Sequence, residues 1–173
     1  MPGLGWNHVD LLTEDMAATR RFYEEVLEMP VVRHDLVDIE GVGIMEHVFF
    51  DAGNGALIAF SGGENAPGFP KGVDTGINRG LGLRGPVIHF AFEAGSEEGL
   101  LGLQQRLESF GVKTSGPQDH EGWCRSIYFT DPNGLQLEAC YLTRPIGTEE
   151  DLRADVRFRF YGGKKLPALP VDA

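Results

Sequence analysis

Cysteine is scarce: Cys124 and Cys140 are the two in a chain of 173 residues. That is too few for a disulfide scaffold, and their spacing is not the CxxC of a zinc knuckle or a thioredoxin-like motif. Free thiols in a reducing cytoplasm are expected. No apolar run is long enough to span a bilayer. Met1 to Trp6 has neither a basic nor an apolar segment of the kind that directs export, so a cytoplasmic location is expected. Basic residues are outnumbered, with 15 Lys and Arg against 26 Asp and Glu, for a net charge of −11. Such a chain repels phosphate backbones and anionic lipid, which argues against nucleic-acid and membrane partners and leaves small molecules. The hydrophobic share of 42% suffices for a folded core. Glycine is plentiful at 24 residues, about twice its usual share, and implies many turns or close backbone approaches.

The chain repeats itself. In the first half, alternation from Trp6 to Leu12 reads as a strand. Asp15 is a candidate N-cap for a helix over Met16 to Glu28, with Phe22, Tyr23, Val26, Leu27 and Met29 at helical spacing. Extended structure follows from Val31-Val32, then a strand His47 to Asp51, a turn Gly53-Asn54-Gly55 and a strand Ala56 to Ser61. The second half gives a strand Pro86 to Glu93 and a helix capped by Ser96, with Leu100, Leu103, Leu107 and Phe110 in a stripe and Gly111 at its end. Val112-Lys113-Thr114 reads as extended, and Arg125 to Thr130, the turn Asp131-Pro132-Asn133-Gly134 and Leu135 to Tyr141 complete the pattern. The pairs Asn54/Asn133, Leu27/Leu107 and His8/His89 recur 79, 80 and 81 residues apart. The expected fold is α+β, one domain of two tandem βαβββ modules forming a cupped, mostly antiparallel sheet around a metal site. Module one spans about 5–61, a loop or lid 62–85, module two about 86–143 and a C-terminal arm 144–173. Thr148 to Asp151 reads as the cap of a short helix in that arm. Val156 to Tyr161 reads as an edge strand that packs on its own domain or joins a homo-oligomer.

Side chains alternate along a strand, so the apolar face identifies the other one. Val9 and Leu11 oppose His8 and Asp10. Ile88, Phe90 and Phe92 oppose His89. Leu135, Leu137 and Ala139 oppose Gln136, Glu138 and Cys140. If the apolar faces pack on the helices, His8, His89 and Glu138 point together away from them. Two imidazoles and one carboxylate suit a divalent first-row metal, especially Fe(II), with Mn(II) or another divalent ion as alternatives. At an offset of 80 the first-half counterpart of Glu138 is Ile58, which cannot ligate, so three protein ligands are expected. His47 and Phe49 correspond to Ser126 and Tyr128 and, with Ile58 and Phe60, are expected to line an apolar substrate wall, with Trp123 covering the pocket. Cys140 reads as a small buried hydrophobe.

The paired modules resemble the vicinal oxygen chelate superfamily of glyoxalases, bleomycin resistance proteins and extradiol dioxygenases. Phe22-Tyr23-Glu24-Glu25-Val26-Leu27 is similar to the family's first-helix motif. The run from His120 through Ile127-Tyr128, Asp131-Pro132-Asn133-Gly134 and Glu138 resembles the signature of type I extradiol dioxygenases. That resemblance implies Fe(II) held by His8, His89 and Glu138, His120 as acid–base group and Tyr128 as hydrogen-bond donor. It implies a catechol-like aromatic and dioxygen as substrates. Two alternatives stand beside it: a redox-neutral metalloenzyme of the glyoxalase kind, and a metal-free drug-binding protein.

Overall fold

Alternation in His8–Thr13 produces β1, whose Val9 and Leu11 pack inward while His8 and Asp10 face out. Asp15 then caps the first helix, its Oδ1 accepting from the Ala18 amide at 2.8 Å. α1 covers Met16–Arg20 and widens into a π-helical turn over Arg21–Val26, closed by the Leu27 amide on the Phe22 carbonyl at 3.0 Å. β2 (Val31–Ile39), β3 (Gly43–Asp51) and β4 (Leu57–Gly62) follow, so β3 starts four residues earlier than expected. Gly53, Asn54 and Gly55 all have positive φ, as the tight turn between β3 and β4 requires. The computed structural model describes residues 5–149, 151–152, 158–161 and 164–167. Among them no helix is long and apolar enough to cross a membrane.

After a short helix α2 (Ile77–Gly80), the second module repeats the order: β5 (Phe90–Glu93), α3 (Glu97–Ser109), β6 (Gln118–His120), β7 (Cys124–Thr130) and β8 (Gln136–Leu142). Ser96 caps α3 through the Gly99 amide, and Gly111 leaves it at φ 78°. Each module forms a four-stranded sheet of the same topology, β1-β4-β3-β2 and β5-β8-β7-β6. The first pair in each is parallel and the others antiparallel. The α+β fold of two βαβββ modules is thus realised. The second module differs from expectation in three places. Strand structure begins at Phe90, not Pro86, and the edge strand of the second sheet is polar Gln118–His120. Val112 to Thr114 carries no strand pairing.

The helices sit between the sheets. Tyr23 packs its ring 5.3 Å from Phe50 and 4.9 Å from Phe60 of the first sheet, and Phe22 lies 6.5 Å from Phe129 of the second. Arg106 of α3 donates to the Val26 carbonyl. One buried cluster therefore joins the inner faces of both modules. A polar network crosses the same junction: Tyr23 donates to Asp131 Oδ2 at 3.2 Å, and Asn133 Nδ2 bridges Asp131 and Thr19. Burial raises the Asp131 carboxyl above its ordinary range against these hydrogen bonds, and burial beside Asp131 raises Tyr23 well above its own.

The 62–85 connector is tied down at both ends. Ala66 and Phe69 pack on Met45, Leu12 and Val42 as a strap across one end of the first sheet's outer face. Near the other end, the Asn78 amide donates to the Ile88 carbonyl at 2.5 Å and accepts from its N–H at 2.9 Å, imitating a strand neighbour. In the arm, Asp151 accepts from Thr148 and Arg144. β9 (Phe158–Tyr161) pairs antiparallel with β10 (Lys164–Pro167) as a separate hairpin, not as an edge strand of either large sheet. Residues 156 and 157 of the expected strand lie outside the described residues.

Candidate metal and acid–base site

The outer face of the second sheet collects most of the expected site residues. Register places Glu138 beside Tyr128 on β7 and beside Ala91 on β5, just past His89. Glu138 is 6% exposed, an unusual position for a carboxylate without a counter-charge. His89 Nε2 stands 2.9 Å from its Oε2. The other ring nitrogen, Nδ1, is 2.8 Å from the Pro86 carbonyl, which can only accept. Nδ1 therefore carries a proton, and Nε2 faces the carboxylate. Two electron-rich atoms facing each other at that distance need a cation, either a proton or a metal ion. A backbone carbonyl fixing the far nitrogen of a ligand histidine is the usual outer support of a metal site. His89 and Glu138 fit a divalent metal on this ground.

Next to them, the Tyr128 hydroxyl lies 3.3 Å from His120 Nε2. Burial, then the charge of Glu138 and a hydrogen bond to it, push Tyr128 up to about 12, so its proton is retained across the physiological range. The Trp123 ring is 6.3 Å from His120 and flanks this pair. On the far side of Glu138, the Sγ atoms of Cys124 and Cys140 and a Glu138 oxygen all lie within 4.8 Å of one another. Burial, then the charges of Cys124 and Glu138, raise the Cys140 thiol to about 12.

The outer face of the first sheet carries His8, Asp10, His47, Phe49, Ala59 and Ser61. Phe49 packs 5.6 Å from His8 and 4.3 Å from His47. Ser61 donates to Asp10 at 3.1 Å. His47 Nε2 approaches Asp10 Oδ1 at 3.5 Å without hydrogen-bond geometry, and this buried nitrogen has no hydrogen-bond partner among the described residues. Asp10 and Ser61 were not singled out by the sequence, although Asp10 shares the period-two face of His8.

Two expectations need correction. Ile58 and Phe60 are 1% and 0% exposed and belong to the shared core, on the opposite side of β4 from His47 and Phe49. The register pairs Phe49 with Ala59, as it pairs Tyr128 with Glu138, so Ala59 is the counterpart of Glu138. A one-residue slip in aligning two strands exchanges their faces. Ala59 cannot ligate either. The second correction concerns convergence within one chain. Among the described residues, Cys124, Glu138 and Cys140 are the one group of three with ligating atoms this close, and His8 does not join His89 and Glu138. His8, an exposed residue, instead has its Nδ1 2.7 Å from Asn7 Oδ1. The cause is the shared core: each sheet turns its inner face to the helices and its outer face away.

Comparison with known proteins bears on the fold. The family model described as the glyoxalase/bleomycin resistance protein/dioxygenase superfamily matches residues 5–139. No curated protein matches the chain. Among solved structures, a glyoxalase/bleomycin resistance protein/dioxygenase domain from Frankia sp. EAN1pec is 20% identical, with 80% of this chain and 98% of that chain covered and a TM-score of 0.60. The fosfomycin resistance protein FosX from Listeria monocytogenes, in complex with Mn(II) and a dihydroxypropylphosphonic acid, is 19% identical over 88% of this chain and 99% of that one, with a TM-score of 0.57. Lactoylglutathione lyase from Agrobacterium tumefaciens is 19% identical over 82% and 96%, with a TM-score of 0.55. At these identities the likeness is one of fold.

Proposed function

Because the chain belongs to the glyoxalase/bleomycin resistance protein/dioxygenase superfamily, we propose that it is a metal-dependent enzyme of the ring-cleaving kind, an Fe(II) extradiol dioxygenase acting on a catechol-like aromatic. The observation that carries this reading is the hydrogen-bonded His120–Tyr128 pair beside the His89–Glu138 pair on one sheet face. A redox-neutral isomerase or lyase has no evident need of both. His89, Glu138 and His8 would hold the ion. When bound, Fe(II) supplies Lewis acidity toward two neighbouring substrate oxygens and a route for electrons to dioxygen.

The chain's own groups do the rest. Glu138 contributes one negative charge, so the loaded site stays positive and favours an anionic chelating substrate. His120, within hydrogen-bond distance of Tyr128, takes the proton from a substrate hydroxyl as general base. Tyr128, its proton held by burial, donates to a developing oxygen anion. Trp123 offers a flat wall for an aromatic ring, and Phe49 and His47, on the sheet face that carries His8, would add theirs from a second copy of the chain.

His8 lies on the other sheet, and we assign it to a site formed between two copies of the chain. Each copy then offers His8 to the His89–Glu138 pair of the other, and a twofold arrangement makes two identical sites. Mixing the His8→Ala and Glu138→Ala variants tests this. In a shared-site dimer one of the two sites in each mixed pair is wild type, so metal binding and turnover return on mixing. No recovery overturns the sharing. The reaction is tested by anaerobic reconstitution with Fe(II) and oxygen-electrode measurements on a panel of catechols, hydroquinones and aminophenols. Oxygen uptake with a ring-opened product is expected. Bound iron without uptake on any substrate overturns the oxidative reading in favour of a redox-neutral one.

A further inference from the structure

Glu138 has two sets of neighbours, and they differ in chemical softness. On one side is the His89 imidazole at 2.9 Å. On the other are the thiols of Cys124 and Cys140, with all three ligating atoms within 4.8 Å of one another. These thiols are the chain's entire cysteine complement, brought together from adjacent strands. Cys124 is 2% exposed, and Cys140 is half-buried on the same outer face, which leaves an approach from solvent. Among the described residues Cys124 Sγ makes hydrogen-bond contacts with Ser126 Oγ at 3.5 Å and the Arg125 carbonyl at 3.8 Å, both weak for sulfur.

We propose that Cys124, Cys140 and Glu138 form a second metal-binding site, selective for thiophilic d¹⁰ divalent cations such as Zn(II) or Cd(II). Imidazole and carboxylate suit Fe(II) and Mn(II), whereas paired thiolates select softer ions. A tetrahedral zinc with Zn–S bonds of about 2.3 Å has sulfur–sulfur edges of about 3.8 Å, so the trio closes on an ion by small side-chain movements. Binding one cation releases two thiol protons to solvent and leaves two thiolates and one carboxylate around it, with no change of oxidation state. Because the carboxylate is common to both donor sets, a soft ion here withdraws Glu138 from His89. This last consequence rests on the reading of Glu138 as a ligand of the catalytic ion; the soft-ion site itself does not.

The test is titration of the reduced, metal-free protein with Cd(II), followed by the ultraviolet thiolate-to-cadmium charge-transfer band. With two cysteines in the chain, the band reports only on this pair. One Cd(II) per chain with the intensity of two thiolates is expected. Cys124→Ala and Cys140→Ser should each weaken binding at least tenfold and halve the band. Glu138→Gln should weaken binding severalfold while preserving two-thiolate intensity. Far-ultraviolet circular dichroism identifies any variant that has not folded, and Cys140→Ser, at the half-buried position, keeps the test open if Cys124→Ala fails. No band at stoichiometric cadmium, one-thiolate intensity, or one cadmium per two chains overturns the site. Competition is read from free Mn(II) by electron paramagnetic resonance. Preloaded cadmium should lower Mn(II) affinity at least tenfold in the wild type and leave it unchanged in the double cysteine variant. Undiminished Mn(II) binding beside a two-thiolate band overturns the shared carboxylate. Absence of Mn(II) binding even without cadmium counts against the proposed catalytic site and leaves the soft-ion result standing.

Discussion

Phe49 lies beside Ala59 on one sheet where Tyr128 lies beside Glu138 on the other. The two outer faces share a backbone plan strand for strand, yet the second holds a carboxylate, a phenol, a hydroxyl and a thiol (Glu138, Tyr128, Ser126 and Cys140) where the first holds a methyl, a phenyl, an imidazole and a hydroxyl (Ala59, Phe49, His47 and Ser61). The folding problem is the same for both, since the inner faces are equally apolar and close on one core. What differs is the buried charge each face tolerates. Glu138 at 6% exposure has His89 against it, whereas Ala59 at 0% has no basic group directly beside it in register. Duplicated scaffolds can thus keep ligands on one copy and relax the other, because the cost of a buried carboxylate is met only where its counter-group stands.

The largest expected effect is on the second face. Glu138→Gln should lower divalent-metal affinity by at least about 100-fold, beyond the usual cost of losing an outer support, as measured by calorimetry with Mn(II). The reciprocal change, Ala59→Glu, should give no new metal site and should destabilise the fold by on the order of 3 kcal/mol in urea denaturation, because it buries an unpaired charge. If Ala59→Glu binds metal at full stability, the two faces are more alike than their present residues suggest. Tyr128→Phe should cut turnover roughly 100-fold and leave metal affinity unchanged, whereas Phe49→Tyr should change turnover little.

A smaller effect belongs to the seam between the modules. Tyr23→Phe removes the donor to Asp131 and should cost about 1.5 kcal/mol in thermal or urea unfolding. The same variant carries a pH signature. The folded protein holds the Tyr23 proton well past the ordinary phenol pKa of about 10, while the unfolded chain releases it there. Between those two values the native state binds more protons, so stability falls as pH rises above about 10. Tyr23→Phe should flatten that alkaline loss.

Much of this was legible in the residues. The period-two alternation in β1 and β8 assigned His8 and Glu138 to the outward faces, and the Asp15 and Ser96 caps located both helix starts. The misplacement of Ile58 and Phe60 came from the repeat offset. The turns align at 79 and the first strands at 81, so a single value of 80 lands on the wrong face of β4. β6 escaped notice because Gln118-Asp119-His120 has no apolar alternation; its pairing with β7 alone makes it a strand. Whether His8 reaches His89 depends on how two modules dock, and strand periodicity within each module carries no information about that. The thiol pair was hidden for a related reason: Cys124 and Cys140 meet only through the β7–β8 register, diagonal to each other across it.

The Asn78 side chain that clamps Ile88 holds the residue immediately before His89. In the proposed metal site, the aim of His89 would thereby be governed by a connector residue outside the donor set. If His89 holds the ion, a change at position 78 would retune its grip while every donor atom stays the same, so the donor set alone would not fix the affinity.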